Sequence, residues 1–207
     1  MKRILALVIV LSFFLTGCNI REKAEFDINI REKVETDIDK YESICNEVEN
    51  ASVLMPDLDE IGDYNEVKFT YKIYCYSFFI GFVSDGIGLW AQYDESDYEE
   101  EKERVLSSYE FLEEPIIDSR GLYELPVTEF AYKGYDTKIV PDEDYIDFGA
   151  CKSFLMIGFN DNEYAICYLY YYDIDIDYLY DEETDDYTPE ERMVDLVDTA
   201  FEWVEFD

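Results

Sequence analysis

Two nearly continuous apolar runs, Lys152 to Phe159 and Glu163 to Tyr172, bracket Asn160-Asp161-Asn162 in a chain whose formal net charge is −35. Short apolar runs on either side of a turn read as a β-hairpin. So much apolar surface in so charged a chain places that hairpin at the centre of a sheet.

The rest of the sequence is read around it. Val67, Phe69, Tyr71, Ile73 and Cys75 alternate with Lys68, Thr70, Lys72 and Tyr74, the period of a half-buried strand. Phe78 to Val83 and Ile87 to Tyr93 flank Ser84-Asp85-Gly86, which predicts a hairpin through an Asp-Gly turn. Val127 to Tyr132 and Tyr135 to Val140 bracket Lys133-Gly134 in the same way.

Helical spacing appears in three places. Val34, Ile38, Tyr41, Cys45 and Val48 recur at intervals of four and three, predicting one apolar stripe that stops near Pro56. Ser96 with Glu99 matches a capping box ahead of Val105, Leu106, Tyr109 and Leu112, with Pro115 beyond. Thr188-Pro189-Glu190-Glu191 supplies a cap, a first-turn proline and acids for a last helix, whose stripe is Met193, Leu196, Val197, Ala200, Phe201 and Val204. The expected fold is α+β: a largely antiparallel sheet of about six or seven strands built from hairpins, with an N-terminal, a central and a C-terminal helix on one face.

A chain this acidic would be disordered if it lacked apolar residues, but hydrophobic residues make up 48% of it and aromatic residues 17%. The 51 acids against 16 bases argue against nucleic acid and anionic lipid as partners. They favour a cationic protein or peptide, or a metal ion; the plainer reading is solubility. Between Ser153 and Asp207 the only base is Arg192, against 17 acids.

The sequence contains no histidine, which removes histidine-dependent nucleophile systems and His-ligated zinc together. Within the stretch Asp173 to Asp186, the residues Asp173, Asp175 and Asp177 would share one strand face. An EF-hand is excluded there, since Tyr178 and Thr184 stand where glycine and glutamate are required. A weak calcium site or a solvated acidic face remain the two readings, and no metal ligand, cofactor or catalytic residue is assigned. A carboxylate-pair hydrolase acting on glycans is the alternative, with Trp90 and the tyrosines as sugar-stacking candidates. Gly81 to Gly86 misses the nucleophile elbow. Cys45, Cys75, Cys151 and Cys167 could form two disulfides. If Phe159 faces Glu163, however, Cys167 faces Leu155 instead of Cys151, which favours free thiols.

The N-terminus carries its own message. Met1-Lys2-Arg3 precedes an apolar run from Ile4 to Leu15, which ends in Leu15-Thr16-Gly17-Cys18. This is the layout of a secretory signal, too short to span a bilayer comfortably. Residues 21–28, REKAEFDI, recur as REKVETDI at 31–38. The organisation expected is a signal over 1–17, a tether over 18–33 and a single acidic domain over 34–207. The Cys18 box, the stretch Leu54-Met55-Pro56-Asp57-Leu58-Asp59-Glu60-Ile61-Gly62-Asp63-Tyr64 and the strand end Tyr170-Tyr171-Tyr172-Asp173-Ile174-Asp175 resemble a group of small, functionally uncharacterised lipoproteins of low-GC Gram-positive bacteria. The resemblance implies lipidation of Cys18, attachment to the extracytoplasmic face of the cell membrane, and no particular activity. Replacing Cys18 with serine is therefore expected to abolish incorporation of labelled palmitate and to move the protein from the membrane to the soluble fraction. Unchanged labelling would remove Cys18 as the lipid site.

Overall fold

The computed structural model describes residues 31–77, 81–117, 123–142, 152–173 and 188–206. Nine strands are found there: β1 (Arg31–Glu35), β2 (Glu66–Ser77), β3 (Gly81–Gln92), β4 (Ile116–Ile117), β5 (Tyr123–Leu125), β6 (Glu129–Tyr132), β7 (Tyr135–Pro141), β8 (Lys152–Asn160) and β9 (Ala165–Asp173). Four helices accompany them: α1 (Tyr41–Cys45), α2 (Ala51–Leu54), α3 (Glu95–Ser108) and α4 (Pro189–Ala200). Seven strands form one antiparallel sheet in the order β1-β2-β3-β9-β8-β7-β6, while β4 and β5 pair separately. The α+β architecture expected from the sequence is the one observed, and the apolar hairpin β8-β9 holds its centre.

The residues of β9 show why its sequence has no polar alternation. Ile166, Tyr168 and Tyr170 join a core on one face, with Leu155, Ile157, Ile87 and Leu89. Cys167, Leu169 and Tyr171 join a second core on the other face, with Trp90, Phe154 and Met156. A strand covered on both faces can be apolar throughout. The first face is covered by Tyr41, Ile44, Tyr98 and Val105 from α1 and α3. Met193, Leu196, Val197 and Ala200 of α4 cover the second. The expectation of helices on one face is thus corrected: they sit on both, because neither face of the central strands tolerates water.

The segment after α4 extends that second layer. Thr70 Oγ1 donates to the carbonyl of Glu202 at 3.0 Å, and Lys68 Nζ to that of Glu205 at 2.8 Å. Trp203 packs edge-on against Trp90, Tyr132 and Tyr135, with ring centres 4.9–5.5 Å apart.

Asp85-Gly86 is not a turn. It lies inside the twelve-residue strand β3, and Gly134 is the positive-φ glycine among the described residues, with φ +85°. Gly86 is needed for room instead: a Cβ there would lie 2.0 Å from the carbonyl oxygen of Ala200, and one at Gly88 2.1 Å from the Trp90 ring. The Lys133-Gly134 hairpin is as expected, since both turn residues have positive φ, which a two-residue type I′ turn requires.

Three further readings change. Val34 belongs to strand β1, paired with Lys72, and is 40% exposed; helical turns begin only at Ile38, capped by Asp37. Among the described residues the sheet thus starts at Arg31, within the second copy of the repeat and inside the stretch read as tether. α3 starts after Asp94, ahead of the Ser96 box, and Asp94 accepts from Asn65 Nδ2 at 2.9 Å instead of from a helix N–H. In β8-β9, Gly158 and not Leu155 faces Cys167. The turn there runs over 161–164, where Asn160 Oδ1 accepts the N–H groups of Asn162 and Glu163 at 3.1 and 3.2 Å. The Thr188-Glu191 capping box forms as expected.

Gly86→Ala is expected to destabilise the fold by about 1–3 kcal/mol through overpacking against the α4 carbonyl. Urea unfolding followed by tryptophan fluorescence reads this directly, and a wild-type midpoint would contradict the close approach.

Candidate functional site

Polar groups gather at one end of the sheet, on its first face. Asp85 of β3 stands opposite Tyr172 of β9 and Ile73 of β2. Its Oδ1 accepts a hydrogen bond from the Tyr71 hydroxyl at 2.6 Å. Burial pushes the Asp85 carboxyl above its ordinary range, and the Tyr71 bond opposes that rise. Next along the sheet, Ser153 of β8 also faces Tyr172. Its Oγ donates to Asp142 Oδ2 at 2.6 Å, and Asn50 Nδ2 donates to the same oxygen at 3.0 Å. Tyr170 donates its hydroxyl to the Glu49 carbonyl. Desolvation raises that phenol, and the negative potentials of Asp142 and Asp85 raise it further. Segments 78–80, 143–151 and 174–187 continue from strands ending here and lie outside the described residues.

A second cluster ties α3 to the sheet. Glu101 is 3% exposed and receives Nε and Nη2 of Arg104, each at 2.7 Å. Tyr168 Oη lies 3.4 Å from the same carboxylate. The Glu101 bond holds the Arg104 head firmly protonated. Tyr93 Oη is buried beside this pair with no hydrogen-bond partner, and desolvation raises it. At the outer end of the helix, Lys102 and Tyr98 both donate to Asp161 in the β8-β9 turn. Lys102 first, and then Tyr98, keeps that carboxyl below its usual range.

Each of these carboxylates is held by its own protein donors, an arrangement that fixes strand ends and a helix. Among the described residues, no group of three or more cysteine or acidic side chains is placed to bind a metal ion. Asp173 is 6% exposed and accepts from Tyr171 at 2.6 Å, so it is a buried strand end and not a solvated face. Residues 174–186 of the acidic stretch, Cys18 and Cys151 lie outside the described residues. Cys45 and Cys167 are free and buried, and burial pushes both thiols up to about 12, which makes them inert. Trp90 is core, 0% exposed. On the outer flank of α3, Glu100, Glu103, Arg104, Leu106 and Ser107 line a solvent-open depression of about 550 Å³.

Sequence reasoning missed Asp85, Asp142 and Glu101. Asp85 was hidden by its resemblance to a turn. Glu101 was visible in principle, because an acid between Tyr98 and Val105 at helical spacing sits on the apolar stripe and must find an internal partner.

The raised Asp85 carboxyl has a definite sign. Its folded pKa lies above the ordinary 3.8. The stability it permits is therefore complete below 3.8 and is lost as pH rises through the folded value. Asp85→Asn should equal wild type in acid and gain melting temperature over it as pH rises toward neutrality, since an amide still accepts from Tyr71. Asp161→Asn should do the reverse, losing ground above the ordinary carboxylate range. Parallel melting curves for Asp85→Asn and wild type from pH 3 to 8 would show that Asp85 titrates normally.

Comparison with protein-family models, with curated proteins and with solved structures finds no match to this chain.

Proposed function

We propose that this chain is a non-enzymatic interaction module for a cationic protein or peptide, held at the extracytoplasmic face of the membrane by lipid on Cys18. The observation that carries the reading is how the bases of α3 are used. Arg104 is committed to buried Glu101 and Lys102 to Asp161. Glu95, Glu99, Glu100 and Glu103 are left facing solvent, and Glu110, Glu113 and Glu114 extend the exposed acidic surface beyond the helix. A surface of one sign attracts and steers partners of the other. The box at Cys18 supports the anchoring, and no helix among the described residues is long and apolar enough to cross a membrane.

One observation favours a second reading, a glycan-directed hydrolase. Asp85 is a carboxyl that burial holds toward its protonated form, as a general acid requires. The first reading is preferred because Asp85 and Asp142 are occupied by protein donors, whereas Glu99, Glu100 and Glu103 of α3 face solvent.

The test is fluorescence anisotropy of labelled deca-lysine, with deca-glutamate as control, against the full chain in detergent. Saturable binding at low ionic strength is expected, weakening steeply as the Debye length falls to ~8 Å at physiological salt. The Glu99→Gln, Glu100→Gln, Glu103→Gln triple variant, whose changed side chains are all exposed, should bind several-fold more weakly. Absence of binding at low salt, or a triple variant that binds like wild type, would overturn the proposal.

A further inference from the structure

The edge of β2 is occupied by one copy of a duplicated sequence. β1 pairs antiparallel to it, with Arg31 opposite Cys75, Val34 opposite Lys72 and Glu35 opposite Tyr71. Ten residues upstream the sequence of β1 recurs, with one change, as Arg21-Glu22-Lys23-Ala24-Glu25. A strand shifted by an even number of residues keeps every side chain on its original face. The single difference within the strand is alanine for Val34, a side chain already 40% exposed, so little burial separates the two copies. Among the described residues β1 is an edge strand, bonded to one neighbour, and either copy can make its backbone pairing.

The flanking contacts are duplicated only in part. Glu35 accepts the N–H groups of Thr36 and Asp37 at 3.1 and 3.2 Å, and Asp37 accepts that of Asp39 at 3.3 Å. The first copy carries Glu25 and Asp27 at the matching positions. It has Ile30 where the second copy has Lys40, the partner of Glu35. That pair is exposed on the Lys40 side, so salt weakens it.

We propose that the β2 edge is a two-position seat for the repeat, taken either by Arg31–Glu35 or by residues 21–25 of the same chain. Seating the first copy leaves the second in the connection to the Ile38–Lys40 turn, and the closure entropy of a loop grows only slowly with its length. For the anchoring proposed above, on which this consequence rests, the exchange changes reach. Residues 19–30 lie between Cys18 and the sheet in one state and residues 19–20 in the other. At ~3.3–3.6 Å per residue the domain is then tethered by up to ~40 Å or by less than ~10 Å.

The seat is tested without reference to lipid, by disulfide trapping against Cys75 in the full chain in detergent, equilibrated in a glutathione buffer. Directly opposed residues of an antiparallel pair have Cα atoms ~4.5–5.5 Å apart, within disulfide reach. Arg31→Cys should form an intrachain bridge to Cys75, and so should Arg21→Cys, each mapped by peptide mass spectrometry. A yield for Arg21→Cys of at least about a tenth of that for Arg31→Cys is expected, equivalent to a gap of no more than ~1.4 kcal/mol. Glu22→Cys, which the even shift assigns to the opposite face, should trap far less. Trapping by Arg31→Cys alone would overturn the proposal, as would equal trapping by Glu22→Cys and Arg21→Cys. A bridge from Arg21→Cys that forms between two chains would overturn it in favour of strand exchange. None of these outcomes depends on what the acidic surface binds.

Discussion

Burial of β9 on both faces is the constraint from which the architecture follows. Ala165 to Tyr171 are all buried, most of them completely. An antiparallel sheet can leave one face to solvent. This one cannot, because its central strands carry large apolar side chains in both directions. Two covering layers are therefore required, and the chain supplies them from opposite ends. The N-terminal turns with α3 serve one face, and α4 with its following segment serves the other. Close covering in turn demands backbone without side chains where layers meet. Gly86 admits the end of α4, and Gly158 leaves room for Cys167 Sγ, which would lie 2.7 Å from a Cβ.

Tyrosine is the means by which so apolar an interior joins so acidic a surface. Its ring contributes burial while its hydroxyl needs a partner, and here that partner is repeatedly a carboxylate or a backbone carbonyl. Tyr71 donates to Asp85, Tyr98 to Asp161, Tyr132 to Asp198 and Tyr171 to Asp173. Tyr41 donates to the Pro56 carbonyl at 2.6 Å. In a chain with no histidine and few bases, phenols do the work that lysine and arginine do in a more balanced protein. The consequence is visible in their protonation. Burial first, and then the hydrogen-bonded carboxylates, raise the phenols of Tyr98 and Tyr132, so both stay donors at any ordinary pH. A core pinned by neutral donors is also insensitive to salt, unlike the ion pairs at the surface.

What the sequence revealed depended on whether local and tertiary requirements coincided. The Lys133-Gly134 turn, the Thr188 cap and the strand period of β2 are local signals and were legible, but β2 is not half-buried as expected. Thr70 and Lys72, on the side read as open, are buried because the segment after α4 covers that face. Asp85-Gly86 was not legible. The dipeptide is equally good as a turn or as a clearance site, and only the carbonyl of Ala200, more than a hundred residues away, decides between them. Val34 fell on a helical stripe by spacing, yet pairing with the β2 edge outweighed a helix of marginal length. The β8-β9 register was displaced because Asn160 closes the turn with its side chain, an interaction that apolar content does not encode. The acids of the candidate site were the least legible. In a chain with 51 of them, composition cannot say which few are internal.

Those few set the meaning of the rest. Each internal carboxylate named above recruits a donor; α3 gives Arg104 to buried Glu101, and pairs Lys102 with the exposed Asp161 of the β8-β9 turn. Committing Lys102 and Arg104 to these partners leaves the exposed face of that helix acidic. Exposed like charges at helical spacing, such as Glu99 and Glu103, repel one another and lower stability slightly. On the reading proposed above, an acidic surface carried by a helix that Tyr168–Glu101 and Lys102–Asp161 bonds tie to the sheet and its turn serves recognition through charge.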